Sequence, residues 1–143
     1  MAVASSRRLS ETLEFDNESF KSAFEYFEIG VCLIDTGGHF IRTNRAFSTM
    51  LGYSRQQILK KNLSRITNEE DLTLSKVYHR RLLAGKKKSF TFLTRFFHKD
   101  GHVLWATVTA SLIHFAGRYA PCFLNYVQDI SNSSLVSSEQ RFR

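Results

Sequence analysis

The chain has 143 residues and a net charge of +7, with 43% hydrophobic and 23% charged residues; at this length about 68–70% of the unfolded surface can be buried, so no cross-link is required. One Pro and seven Gly exclude a collagen-like or Pro-rich chain, and no run approaches the roughly 18 apolar residues of a membrane-spanning helix. Two Cys cannot make a disulfide framework, and neither CxxC nor a Cys/His spacing suggests zinc, so reduced thiols and a cytoplasmic location are expected.

The opening MAVASSRRLSETLEFD has two Arg but no apolar core, so it does not read as a secretory signal. Residues 1–16 read as a polar lead-in. Asn17 is placed as an N-cap, and Phe20, Phe24 and Phe27 follow at i, i+4 and i+7 on one helical face, with Gly30 as the stop. Val31 to Asp35 and His39 to Thr43 flank Thr36-Gly37-Gly38 and read as a hairpin. Asn44 caps a helix from Arg45 to Leu51 that Gly52 ends. Ser54 and Gln57 have capping-box spacing ahead of a second short helix, Arg55 to Lys60. Residues 61–67 read as irregular.

Asn68 caps a longer helix with Glu69, Glu70 and Asp71 in its first turn and Arg80 and Arg81 later, as the macrodipole favours. Leu74, Val77, Tyr78 and Leu82 form its apolar stripe, and Gly85 ends it. Ser89 to Phe97 is aromatic and β-rich, and His98-Lys99-Asp100-Gly101 carries a strong turn dipeptide. From His102 to His114 the pattern alternates. Leu104, Ala106, Val108, Ala110 and Leu112 point one way; Trp105, Thr107, Thr109, Ser111 and Ile113 point the other. Gly117 marks a loop, and Cys122 to Asp129 is a final strand. This order is α+β with an antiparallel sheet.

Chemistry-bearing patterns are sparse. Between Lys76 and His102 eight Lys/Arg stand against one acid, Asp100, but no groove-reading motif accompanies them. A solvated helix end and loop account for the charge, and nucleic acid is not an expected partner. No GxSxG, HExxH or paired-carboxylate pattern supports catalysis. His98, His102 and His114 lie at strand ends and could meet in space, but no carboxylate spacing supports a metal site, and exposed strand-end histidines are expected.

Four segments carry a family resemblance: Ile34-Asp35-Thr36-Gly37-Gly38 with Ile41 to Asn44; Asn44-Arg45-Ala46-Phe47 with Leu51-Gly52-Tyr53-Ser54; His98-Lys99-Asp100-Gly101 with Trp105; and Gln128-Asp129-Ile130-Ser131. In this order and spacing they resemble a PAS domain over roughly residues 20–131. The resemblance implies a five-stranded antiparallel sheet with short helices on one face and an N-terminal flanking helix. It divides the chain into a lead-in (1–16), a PAS domain (17–131) and a linker (132–143). Ser138-Glu139-Gln140-Arg141-Phe142-Arg143 resembles the lead-in to a further such unit, faintly echoing Glu18-Ser19-Phe20-Lys21.

The function implied is a sensory module of a signalling protein such as a sensor histidine kinase or a diguanylate cyclase. It would bind a small ligand or relay a conformational change; the alternative is a ligand-free dimerisation module. The ligand-contacting residues implied are Cys32, Ile34, Asn62, Val77, Tyr78, Phe96, Ala106, Val108, Asn125 and Val127, with Thr94 and Ala110 also facing inward. Ala106, Val108 and Ala110 leave volume that thirteen Phe could equally fill. A cysteinyl–flavin adduct is disfavoured, because Leu63 follows Asn62 where the reactive thiol belongs. Heme is disfavoured too: the family's ligand position falls near Leu74 and Ser75, and His79 lies about 100° from Tyr78, at the rim. Cys32 and Cys122 fall toward opposite ends of neighbouring strands, so no disulfide is expected. A homodimer would form through Phe20, Phe24 and Phe27 of the flanking helix and the outer sheet residues Trp105, Thr107 and Thr109.

Overall fold

The computed structural model describes residues 18–19, 21–114 and 120–131. The expected lead-in, the Asn17 cap, Phe20, the Gly117 loop and the tail resembling a further unit lie outside them. Residues 21–26 are helical (α1). There follow β1 (Gly30–Ile34), β2 (Phe40–Thr43), α2 (Arg45–Leu51), α3 (Arg55–Leu59), a 3-10 turn (Leu63–Arg65), α4 (Glu69–Leu83), β3 (Ser89–Phe97), β4 (Val103–Ile113) and β5 (Cys122–Asp129). The strands form one sheet in the order β2-β1-β5-β4-β3, and each neighbouring pair is antiparallel.

The period-two alternation read from His102 to His114 becomes the inner and outer faces of β4. Ala106, Val108 and Ala110 are buried inward, opposite Thr94, Phe92 and Phe90 of β3. Cys32 and Ile34 face the same interior from β1, and Phe123, Asn125 and Val127 from β5. Phe47, Leu51, Ile58, Ile66 and Leu82 come down on this face from the helical segment. The Phe47 ring meets Phe40 at 5.7 Å and Phe96 edge-on at 6.3 Å.

Asn44 ties three segments together. Its side-chain oxygen accepts from Phe47 N–H (3.0 Å), capping α2, and from Val31 N–H (2.9 Å) in β1. Its amide donates to the Ile29 carbonyl (3.0 Å), where the chain enters the sheet. A second staple joins α4 to β3. Asp71 accepts from both the backbone N–H and Nε of Arg95 at 2.8 Å, holding the guanidinium protonated above its ordinary pKa.

Two expectations change. Gly30 does not stop α1; it is the first residue of β1, paired with Val127. A Cβ there would lie 3.1 Å from the Val127 carbonyl oxygen and 3.3 Å from Phe47 Cα, so its small size serves the close approach of α2 to the sheet. Trp105 does lie on the outer side of β4, but it is buried. The Arg95 guanidinium sits 5.3 Å from its ring centre, and the backbone N–H of Trp105 donates to Ser131 Oγ.

The outer face is partly covered near the β1–β2 edge. Phe24 of α1 is buried, with the Arg42 guanidinium 5.6 Å from its ring centre, and Arg42 is the β2 partner of Leu33. Phe27, by contrast, is 51% exposed. Among the described residues no helix is long and apolar enough to cross a membrane.

Candidate functional site: the interior beneath the helices

Between α4 and the sheet lies a cavity of about 20 Å³. That is room for roughly one water molecule. The volume beneath Ala106, Val108 and Ala110 is occupied by Phe47, Phe92, Phe96 and Phe123, of which Phe47, Phe92 and Phe96 also line the cavity. Of the ten residues expected around a ligand, Cys32, Phe96, Val108, Asn125 and Val127 line this cavity. Ile34 and Ala106 are buried in the core beside it. Tyr78 is turned toward β3, stacked on Phe92 at 4.8 Å and near Phe90 at 4.9 Å, and Val77 is half-buried.

Asn62 has a different task. Its amide donates to the Gly37 carbonyl (2.9 Å), and its oxygen accepts from Ser64 N–H (3.0 Å). It therefore fastens the β1–β2 turn to the 3-10 turn and does not line the cavity.

The remaining lining residues include a polar group that hydropathy does not reveal: Ser75, His79 and Thr94. The inner stripe of α4 is Ser75, His79 and Leu82, at i, i+4 and i+7, and Leu74 is exposed. His79, expected at the rim, is half-buried and lines the cavity. Its imidazole stacks on Phe123 with ring centres 4.2 Å apart, and burial lowers its pKa from 6.5 to about 4. Cys32 is hydrogen-bonded to Asn125, and its complete burial pushes the thiol up to about 12, so it is unreactive. Thr94, 1% exposed, has no hydrogen-bond partner for its hydroxyl among the described residues. Both cysteines are free and buried.

The half-buried imidazole makes stability depend on pH. His79 has a folded pKa of about 4 against 6.5 for the free side chain, so between these values the unfolded chain binds the proton first. Stability is full above pH 6.5 and falls as pH drops toward 4, by about 2–3 kcal/mol from this residue. Urea unfolding at several pH values should show this slope, and His79→Gln should remove it. An unchanged slope in the variant would exclude His79 as its source.

Leu63, which follows Asn62 in sequence, lines the cavity, and the His79 ring lies nearly parallel to Phe123 across it.

At the far end of the sheet lies the β3–β4 turn. His98 and His102 meet, their rings stacked at 4.4 Å, with Asp100 between them. The backbone N–H of His102 holds the Asp100 carboxyl below its usual pKa, assisted by the His102 side chain.

Comparison with known proteins places this architecture. Over 112 residues the chain is 29% identical to a probable diguanylate cyclase, DgcE, of Escherichia coli, covering 78% of the chain and 10% of that protein. Over 132 residues it is 23% identical to the sensor histidine kinase TmoS of Ectopseudomonas mendocina, covering 90% of the chain and 14% of that protein. The chain therefore spans only a small part of these relatives.

Among solved structures, a PAS domain from Colwellia psychrerythraea superposes with a TM-score of 0.71 at 22% identity, covering 80% of this chain and 97% of that one. A PAS domain from a two-component sensor histidine kinase gives 0.66 at 21% identity, covering 83% and 98%. A LOV protein of Rhodobacter sphaeroides gives 0.68 at 16% identity, covering 85% and 70%; these structures show the fold alone. The family model described as the PAS fold matches residues 18–130. With the sheet order, the helical segment and the four motifs all in agreement, the chain belongs to the PAS fold family, whose members serve as sensory modules of signalling proteins.

Proposed function

We propose that this PAS module relays conformational state between its flanking segments and a second copy of itself, rather than housing an organic ligand. The observation that carries this reading is the filled interior, whose enclosed space is about 20 Å³. Pockets that take drug-sized ligands measure roughly 300–1,000 Å³. Large input therefore has to arrive at the surface.

The connections are built for this. β1 begins and β5 ends at the same end of the sheet, through the pair Gly30–Val127. The entering chain is held by Asn44 at the Ile29 carbonyl. The leaving chain is held on β4 by Ile130 N–H, which donates to the Trp105 carbonyl (2.8 Å), and is turned at the end of β5 by Ser131 N–H, which donates to Asp129 Oδ1 (2.9 Å). A shift of α1 therefore bears on the same end of the sheet that sets the exit direction. A partner that prefers one arrangement shifts the population toward it.

The surface offered is apolar. Phe27, Ile29 and Tyr126 (44% exposed) gather around Val31 beside α1. Dimerisation is common among PAS domains, and a second copy is the occupant proposed for this patch, next to the half-buried Thr107 and Thr109. The domain is taken as residues 17–131, with 1–16 and 132–143 as its connections in a longer signalling protein. Two free, buried thiols support a cytoplasmic setting. Sedimentation equilibrium tests the dimer. Self-association that Tyr126→Glu weakens at least about tenfold supports the reading. A wild-type protein that stays monomeric, or a variant that associates equally well, overturns it.

A further inference from the structure

The turn between β3 and β4 brings together a donor set that the rest of the account does not use. His98 Nδ1 lies 3.2 Å from Asp100 Oδ1, and His102 Nδ1 lies 2.5 Å from the same oxygen. All three donor atoms fall within 4.8 Å of one another. The backbone enforces this. His98 N–H donates to the His102 carbonyl (2.9 Å) and Gly101 N–H to the His98 carbonyl (2.8 Å), closing a tight turn with Gly101 at φ +95°. The two imidazoles thus stand side by side across the hairpin, 20° from parallel.

The hairpin is also braced against α2. Lys99 N–H donates to the Leu51 carbonyl (2.9 Å), and the His98 ring packs over Gly52, where a Cβ would come within 2.5 Å of it. His98 is therefore held, while His102 and Asp100 (53% and 62% exposed side chains) can adjust.

We propose that His98, Asp100 and His102 form a surface site for an imidazole-preferring divalent transition metal, of which Zn²⁺ is the representative probe. Two nitrogen donors and one carboxylate suit Zn²⁺, Ni²⁺ or Cu²⁺ and disfavour Ca²⁺ and Mg²⁺, which take oxygen ligands. With metal–ligand bonds of roughly 2.0–2.2 Å, neighbouring donors around a tetrahedral ion stand about 3.3–3.5 Å apart. The His98–Asp100 spacing meets this nearly as it stands. The His102–Asp100 pair opens by just under 1 Å, and the exposed His102 ring turns out of the stack so that its Nδ1 faces the ion. His98 Nδ1 exchanges its contact with the Asp100 N–H (3.1 Å) for the ion. The fourth position is left to solvent.

The test is calorimetric titration of Zn²⁺ into the tag-free, chelator-treated protein. The expected result is one saturable site per chain, weakened about 10- to 100-fold by His102→Ala and by His98→Ala, unaffected by excess Mg²⁺, and unchanged by His39→Ala elsewhere on the surface. His98 packs on Gly52, so His102→Ala, which removes an exposed side chain, is the deciding variant. Absence of saturable binding by the wild type, or an affinity unaltered by His102→Ala, overturns the proposal.

Discussion

Truncating Phe47 to Ala should cost about 3–5 kcal/mol of stability, the range for emptying a fully buried aromatic site. Phe47 is completely buried, meets the rings of Phe40 and Phe96, and forms part of the cavity wall. Its backbone is pinned by the Asn44 cap and by the close approach of Gly30, so α2 cannot simply sink to fill the gap. The void would join the existing cavity and be mostly apolar, lined by Phe92, Phe96, Val108 and Val127. Chemical denaturation measures the loss. Small aromatic solutes should restore part of it in the variant and none in the wild type, because an empty apolar cavity binds them. A loss under about 1 kcal/mol would mean that the interior is not packed as described.

Asn44→Ala should cost about 3–4 kcal/mol. The helix cap alone is worth about 1 kcal/mol. Two further groups lose their Asn44 partner: the buried Val31 N–H, at about 1–3 kcal/mol, and the part-buried Ile29 carbonyl, at about 1 kcal/mol or less. Asn44→Asp keeps the acceptor and discards the donor, so it should fall between wild type and Ala. The same denaturation series checks the order. If Asp and Ala were equally damaging, the amide donation to Ile29 would not contribute as argued.

The backbone of this fold was readable because its signals are local. Asn44, Ser54 and Asn68 each cap the helix that follows, and Gly52 and Gly85 adopt positive φ at helix ends. The alternation along β4 places Ala106, Val108 and Ala110 inward. The interior was harder to read because apolarity was the guide to facing. On α4 that rule selected Leu74, Val77, Tyr78 and Leu82. The helix instead turns Ser75 and His79 inward with Leu82 and exposes Leu74.

A half-buried imidazole on a polar stripe leaves no hydropathy signal; only the i, i+4, i+7 spacing of Ser75, His79 and Leu82 could have shown it. Gly30 misled for a related reason. A glycine after a helical pattern suggests a stop, whereas here the requirement is a close approach between elements distant in sequence. The meeting of His98 and His102 depends on hairpin register, which the Asp-Gly turn implies but residue spacing alone does not display.

The central claim is that the sheet and helices close on one another, leaving the module to act through its connections and surface. Native mass spectrometry of the purified protein, paired with its absorption spectrum, tests this most directly. The account predicts the mass of the polypeptide or its dimer, with at most a metal ion added, and no absorption beyond the aromatic band. A stoichiometric organic ligand lost on Val108→Trp, a substitution that fills the interior, would contradict it.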